Sequence, residues 1–255
     1  MKAQGLKPGS WFGPALLFLA LLALWWAISH GGWVSRVFLP TPEATLDSLR
    51  EGLVTGDLLA YSGATVSRML QGWLLASSIG IGLGAVIGIS ATARTYLQPT
   101  LEFMRPLPAS ALLPLAISLF GLGPNMVLSV VAFGAMWPVL LATVHGFAAV
   151  EPRLREVAQC LQLSRRDFAW KVGLPNALPD ILAGMRLSLT VSLIVAVVGE
   201  MIASQEGLGQ AILLAARSFR ASELFAGIVL LGLIGFASSA LLAKLEHRFL
   251  KWQKA

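Results

Sequence analysis

Six long apolar stretches, separated by short polar segments, constrain the fold of this chain more than any other feature. A helix rises about 1.5 Å per residue, so about 20 apolar residues cross the hydrocarbon of a bilayer. Charged residues make up 13% of the 255, whereas a soluble domain carries roughly 25%. We therefore expect an all-α integral membrane protein with six transmembrane helices, near 11–29, 62–90, 101–122, 126–150, 182–203 and 224–242.

The first apolar stretch follows a basic start, MKAQGLKPGS, which leaves two interpretations. A signal peptide is the alternative, but the stretch is long and no small-residue cleavage site follows it closely, so we expect an uncleaved span. Thr41, Pro42 and Glu43 then have the order of an N-cap, a first-turn proline and a first-turn acid. We expect a periplasmic amphipathic helix there, and a division into an N-terminal part, 1–60, and a core membrane domain, 61–255.

Small residues recur every four positions in the second apolar stretch: Gly72, Ala76, Gly80, Gly84 and Gly88. On a helix they form one flat stripe, which favours close approach of a second helix in lipid; a functional hinge is the other interpretation. Arg68 lies in the first turns of this span. We interpret it as an arginine that snorkels to the interface rather than as a pore residue.

The third apolar stretch contains Arg105-Pro106-Leu107-Pro108 and Pro114. Prolines remove helical hydrogen bonds, so this helix is expected to be kinked or partly unwound. Such backbone is tolerated in a membrane only where it is buried in protein or faces a cavity.

A markedly polar segment, EVAQCLQLSRRDFAWKVGLP, separates the fourth and fifth spans. If both termini and this segment lie on one side, that side holds most of the Lys and Arg residues, as the positive-inside rule requires of the cytoplasm. We expect both termini in the cytoplasm and a cytoplasmic loop at 151–180. A charged helix held at the membrane face is suited to dock a soluble partner.

This segment resembles the EAA loop of permease subunits from ATP-binding-cassette (ABC) importers. Glu156 and Ala158 match the start of the family motif, with Val157 in place of the first Ala, while Val172, Leu174 and Pro175 match its end. Gln162 stands where the family has Gly. That departure bears on the turn between the two short helices of the loop, because Gly permits backbone angles that Gln tolerates poorly.

The resemblance extends over most of the chain, and the stretches SRMLQGW and VGEMIASQEGLGQAI are similar to the aliphatic sulfonate, taurine and nitrate branch. It implies a type I importer permease fold in the bacterial inner membrane, with a second copy of the chain, two cytoplasmic ABC ATPases and a periplasmic binding protein as partners. ATP and Mg would be bound by the ATPases, and no cofactor by this chain. The loop residues implied to couple to the ATPase are Glu156, Ala158, Gln162, Leu163, Arg165, Arg166, Leu174 and Pro175.

No GxxxxGK[ST] motif, nucleophile–base arrangement or metal-ligand cluster occurs in the sequence, and no basic-aromatic surface indicates nucleic acid. We therefore expect a permease and not an enzyme, without a metal site. The substrate implied by the resemblance is an aliphatic sulfonate or taurine, with nitrate, a pyrimidine precursor or an aromatic carboxylate as alternatives. We expect the translocation path near Arg105, Ser110, Pro114, Ser188, Ser192 and Glu200.

Two arginines near the membrane, Arg105 and Arg186, either favour an anion or anchor the chain at the cytoplasmic side. The rival function from another class is a secondary transporter driven by an ion gradient. That mechanism needs ionisable residues deep in the spans, and only Glu200 and Arg105 qualify, with no evident pair. A membrane enzyme is a weaker third reading, because no reactive cluster is present.

Overall fold

A computed structural model describes residues 12–250 of the protein as a series of helices joined by short turns. A 3-10 turn, Ala109–Leu112, precedes α5, and a π-helical turn, Ala169–Gly173, joins α8 to α9. The helices are α1 Phe12–His30, α2 Pro42–Val54, α3 Leu58–Ile89, α4 Ala91–Met104, α5 Leu113–Phe120, α6 Pro124–Ala148, α7 Pro152–Cys160, α8 Arg165–Phe168, α9 Leu174–Ala203, α10 Leu208–Arg217 and α11 Ala221–Phe249.

Within this part of the chain, five helical stretches are long and apolar enough to cross a membrane: Gly13–His30, Leu58–Ile89, Pro124–Ala148, Arg165–Ala203 and Ala221–Phe249. A sixth span results if α4 and the helical segment Ala109–Phe120 are counted together. The expected number of six spans is thereby accounted for. Trp11, where the first span was expected to begin, lies outside the described residues.

The third apolar stretch is broken rather than merely kinked. The axes of α4 and of Ala109–Phe120 differ by 83°, and the break contains the predicted Pro106 and Pro108. The expected start of this span at residue 101 is wrong, because α4 begins at Ala91. Ser90 caps that helix: its Oγ accepts a hydrogen bond from the Ala93 N–H at 3.2 Å.

The fifth span also begins earlier than the expected residue 182. Helix α9 starts at Leu174, and its second residue, Pro175, comes just after the π-helical turn Ala169–Gly173 that leads into this helix. The Asn176 side-chain amide donates to the Gly146 carbonyl at 3.0 Å and so ties this start to the end of α6.

The chain divides into two compact units, of which the larger comprises 60–210 and 231–250 of the described residues. Its centre is the contact between α6 and α9, with a core that includes Val127, Val131 and Ala196. The glycine stripe of α3 packs on α6, as predicted. A Cβ at Gly80 would lie 3.0 Å from Val139 Cβ, and one at Gly84 would lie 2.6 Å from Thr143 Cβ, so only glycine allows this approach.

The smaller unit comprises 12–59 and 211–230 of the described residues. The predicted start of α2 is confirmed: Thr41 Oγ1 accepts from the Ala44 N–H at 3.2 Å, and Pro42 and Glu43 occupy the first turn. Trp25 Nε1 donates to the Pro40 carbonyl at 3.0 Å. The short helix α10 runs from Leu208 to Arg217.

Candidate functional site

The polar segment between the fourth and fifth spans forms two short helices, α7 and α8, separated by a tight turn. Gln162 adopts the left-handed backbone conformation at this turn, with φ +48°. The Gln162 N–H donates to the Gln159 carbonyl at 2.9 Å and the Leu163 N–H to the Ala158 carbonyl at 3.0 Å. The turn therefore forms despite the absence of the family's glycine, and Gln162 carries the conformational strain that glycine avoids.

Arg155 anchors this segment to the end of α6. Its Nη2 donates to the carbonyls of Phe147 and Ala148, both at 3.1 Å, and its Nε donates to the Val150 carbonyl at 3.3 Å. The last carbonyls of a helix have no intrahelical donor, and a cation there also opposes the negative end of the helix dipole. A force applied to α7 therefore reaches α6 directly.

The residues implied to couple to an ATPase all lie in this segment, but they differ in how exposed they are. Ala158 is buried and Leu163 and Leu174 are half-buried, while the others are exposed: Glu156, Gln162, Arg165, Arg166 and Pro175. Sequence reasoning missed three large apolar side chains beside them, Val157, Leu161 and Trp170, of which Trp170 is 71% exposed. The sequence did contain a sign that these apolar residues are exposed, because they share helix faces with charged neighbours. Exposed apolar groups among charges are typical of a protein-binding surface.

Glu200 lies in a buried polar cluster rather than on an open path. Its carboxylate is fully buried and accepts hydrogen bonds from Arg68 Nη1 at 2.5 Å, Thr65 Oγ1 at 3.0 Å and the Gly209 N–H at 2.9 Å. The Thr65 hydroxyl in turn accepts from the Leu208 N–H at 2.9 Å. The cluster joins α3, α9 and the start of α10. The negative charge of Glu200, which is costly in a membrane, is therefore balanced by the Arg68 charge and by the hydrogen bonds from Thr65 and Gly209.

Two sequence interpretations are corrected by this cluster. Arg68 does not snorkel to the interface, because it pairs with Glu200. Glu200 therefore has an ionic partner, although no pair was evident from the sequence. Gly207 and Gly209 explain how the loop approaches so closely: a Cβ at Gly207 would collide with the Glu200 carboxylate, and one at Gly209 with the Val197 carbonyl. The pair was not found from the sequence because its members are 132 residues apart.

A cavity of about 450 Å³ opens beside the broken span. Arg105, at the break, lines it together with residues of α6 and α9: Gly134, Trp137, Pro138, Leu187, Val191 and Val195. These residues lie near the middle of helices 25 and 30 residues long. The middle of such a helix is roughly 18–22 Å from either end, so the α6 and α9 part of the cavity wall lies far from both helix ends.

The cavity includes a cation without a counter-charge. Within residues 12–250, the Arg105 guanidinium makes no ion pair or hydrogen bond, and the side chain is exposed. By contrast, Arg186 Nη2 pairs with Glu246 Oε2, and this pair ties α9 to α11. Of the two arginines considered from the sequence, Arg105 thus remains available to an anion, while the charge of Arg186 is already compensated.

Of the six residues expected along the path, only Arg105 lines this cavity. Ser110 and Pro114 are exposed near the break, but Ser188 and Ser192 are fully buried. The Ser188 hydroxyl donates to the Ala135 carbonyl at 2.6 Å, and the Ser192 hydroxyl to the Leu189 carbonyl at 2.8 Å. The face of α9 that reaches the cavity is one residue earlier at each turn, at Leu187, Val191 and Val195. Their four-residue spacing is visible in the sequence, but which face meets the cavity is not.

Comparison with known proteins places these features in a family context. The sequence model of the family "Binding-protein-dependent transport system inner membrane component" matches residues 78–251. The chain is 33% identical to the putative aliphatic sulfonates transport permease protein SsuC of Bacillus subtilis, covering 100% of this chain and 92% of that protein. It is 32% identical to the taurine transport system permease protein TauC of Escherichia coli, covering 91% and 86%.

The fold is similar to that of a permease in a solved structure of the MetNI methionine ABC transporter, in inward-facing conformations. The TM-score is 0.65 at 18% identity, and the match covers 76% of this chain and 95% of the other. At this identity the likeness concerns the fold alone.

Proposed function

Because the chain belongs to the family of inner-membrane components of binding-protein-dependent transport systems, we propose that it is the transmembrane permease subunit of an ATP-driven ABC importer. Its fold is that of a type I ABC importer permease. In this proposal it carries a small organic anion, foremost an aliphatic sulfonate or taurine, which a periplasmic binding protein delivers. It lies in the bacterial inner membrane with both termini in the cytoplasm.

The polar segment is the proposed docking site of the ATPase. Three exposed charged residues of this segment are available for ion pairs with a partner: Glu156, Arg165 and Arg166. Two exposed apolar side chains, Leu161 and Trp170, are available for apolar contacts that a protein partner would bury. Hydrolysis of ATP takes place on the partner, which supplies ATP and Mg sites. Movement of α7 and α8 passes to α6 through Arg155 and to α9 through the continuous π-helical turn.

The translocation path is proposed to lie between two copies of the chain. The cavity beside the broken span is open on one side, and an unpaired arginine there is costly against lipid. A second copy, related by a two-fold axis, encloses that face and keeps it hydrated. Discontinuous helices at mid-membrane are also where transporters place their substrate sites.

The observation that carries the preference for an anion is the uncompensated charge of Arg105 on the wall of this cavity, at the break in the third span. A cation lining a narrow path lowers the barrier for a solute of opposite charge and raises it for a cation. The aliphatic chain of the substrate is suggested by the names of the two relatives, which refer to aliphatic sulfonates and to taurine.

Reconstitution tests this function. The chain is co-purified with the ATPase and the binding protein encoded beside it, inserted into liposomes, and given radiolabelled taurine and butanesulfonate. We expect uptake that requires ATP and the binding protein and that persists when an ionophore removes ion gradients. Uptake that follows the gradient instead would support the secondary transporter, and uptake of nitrate, orotate or benzoate in preference to sulfonates would replace the substrate class.

A further inference from the structure

The cavity beside the broken span has chemistry beyond the charge of Arg105. Trp137 lies on its wall and is 7% exposed, and its indole Nε1–H is buried without an acceptor among the described residues. Phe133 packs edge-on against the indole, with ring centroids 5.6 Å apart. Buried donors are normally satisfied, and an unsatisfied one at a cavity wall indicates a place that a ligand acceptor can occupy.

The backbone of α6 is also irregular at this depth. Pro138 lies inside the helix and has no N–H, so the Gly134 carbonyl lacks the donor that an α-helix supplies there. Both residues line the cavity. The residue with the unpaired indole N–H, Trp137, thus lies on the cavity wall beside this interruption of the helix.

Another part of the wall is apolar. Leu141, Leu187, Val191 and Val195 contribute it, from the middle of α6 and α9. A site with one cation, one free N–H donor and a hydrocarbon wall is matched to an anion that carries an alkyl group. The cation and the donor bind the anionic head, and the apolar wall contacts the alkyl group. A small inorganic anion such as nitrate would leave the apolar wall without a contact.

We propose that this cavity is a substrate-binding site for an alkyl-bearing anion, so that the permease itself selects its solute in addition to the binding protein. Arg105 pairs with the anionic head, the Trp137 indole donates to one of its oxygens, and the alkyl group lies against Leu141, Leu187, Val191 and Val195. This inference rests on the proposed importer function and adds to it a site, a donor and a preference for chain length.

Two variants test the site in the reconstituted importer with its ATPase and binding protein. Trp137→Phe removes the N–H and keeps the ring, and Leu187→Trp fills the apolar end at a side chain that is 64% exposed and therefore tolerant of size. Leu233→Trp, at an exposed leucine of α11, is the matched control. Because the same binding protein serves every variant, a change in selectivity originates in the permease.

Methanesulfonate, butanesulfonate and octanesulfonate are the probes. We expect Trp137→Phe to slow uptake of all three by about 3- to 10-fold, the effect of losing one hydrogen bond. We expect Leu187→Trp to reduce octanesulfonate uptake at least about tenfold relative to methanesulfonate, and Leu233→Trp to match the wild type. An unchanged chain-length ratio in Leu187→Trp, or full uptake by Trp137→Phe, would overturn the site.

Failure of the site and failure of the function remain distinguishable. A wild-type importer that takes up no sulfonate contradicts the substrate class of the proposed function, whereas a wild type that transports all three while the variants keep its ratios contradicts only the site. Size-exclusion chromatography and basal ATPase activity check assembly. If Leu187→Trp does not assemble, Trp137→Phe decides alone.

Discussion

Arg68 donates through Nη1 to Glu200 Oε1 at 2.5 Å, and this ion pair joins the first turns of α3 to the end of α9. The Glu200 side chain is fully buried and that of Arg68 is 17% exposed. Thr65 and the Gly209 N–H complete the coordination of the carboxylate. The pair therefore fixes the α9–α10 turn against α3, with no free oxygen left for a solute.

Loss of one partner of this pair is expected to be severe. Glu200→Gln leaves the Arg68 charge without compensation, and breaking a buried ion pair costs about 3–5 kcal/mol. Arg220→Gln is the control, because it breaks an exposed pair with Glu223 that contributes about 0–1 kcal/mol. Thermal unfolding of the purified protein in nanodiscs measures both. Equal Tm values for the two variants would contradict the assigned role of the cluster.

A bulky residue in the glycine stripe is expected to separate α3 from α6. A Cβ at Gly84 would lie 2.6 Å from Thr143 Cβ and 2.8 Å from the Leu140 carbonyl oxygen, so Gly84→Leu forces both helices to move. Overpacking of this kind costs about 1–3 kcal/mol. Gly82→Leu, two residues away on the same helix, has no atom within 4 Å of its Cβ position and should leave Tm and transport unchanged. Similar losses in both variants would remove the packing explanation.

Replacement of Gln162 by glycine is expected to stabilise the turn between α7 and α8. A non-glycine residue in the left-handed region costs about 1–2 kcal/mol, and part of this is offset by the greater entropy of glycine when unfolded. Hydrogen–deuterium exchange of the turn should slow in Gln162→Gly. Gln159→Gly, inside α7, should have the opposite effect, because glycine weakens a helix. Faster exchange in Gln162→Gly would show that the glutamine side chain supports the turn in another way.

Charge reversal on the polar segment should release the ATPase. Glu156 is exposed on α7 between the exposed apolar residues Leu154, Val157 and Leu161, so Glu156→Lys changes the proposed docking surface without disturbing the core. We expect the permease to insert normally and to retain less than about a tenth of the ATPase in a pull-down, the effect of roughly 1.4 kcal/mol or more. Glu51→Lys, an exposed reversal on α2, should retain it fully. Undiminished capture by Glu156→Lys would place docking elsewhere.

Two copies of the chain are expected to meet around the cavity. Ser192 is unsuited to a crosslinking test because it is fully buried, whereas Ser110 near the break and Leu187 on the cavity wall are exposed. Cysteines at these positions, in a Cys160→Ser background, should crosslink between copies with a bifunctional thiol reagent. A cysteine at Leu233 serves as the control and should not react across copies. Absence of any crosslink, both without nucleotide and with ATP, would count against a two-fold path.

Features that depend on local chemistry could be predicted from the sequence, whereas features that depend on tertiary contacts could not. The Thr41 cap and the four-residue repeat of Gly80 and Gly84 follow from backbone hydrogen bonding and helix geometry, and both are present. The start of α4 was missed because its polar residues and Pro99 obscured the cap at Ser90. The Arg68–Glu200 pair depends on the packing of α3 against α9, which no local pattern specifies.

The same packing dependence applies to the cavity. The prolines at 106 and 108 predicted an irregular third span, and Arg105 was recognised beside them. Trp137 and Leu187 line the same cavity as Arg105. This depends on which faces of α6 and α9 are turned towards the cavity, and the sequence does not specify that orientation. For this reason the serines expected along the path, Ser188 and Ser192, were one residue away from the face that is open.

The distance in sequence between Arg68 and Glu200 has a consequence for biosynthesis. The chain emerges from its N-terminus, so α3, which ends at Ile89, is complete well before Glu200 is made, 132 positions after Arg68. During that interval the Arg68 charge, in the third turn of α3, has no counter-charge. At the bilayer centre such a charge costs about 2.5–3.5 kcal/mol, and nearer the end of a span it costs less. Lasting burial of α3 therefore awaits the arrival of α9, and a ribosome that stalls before Glu200 leaves behind a helix that can still slip back towards the interface.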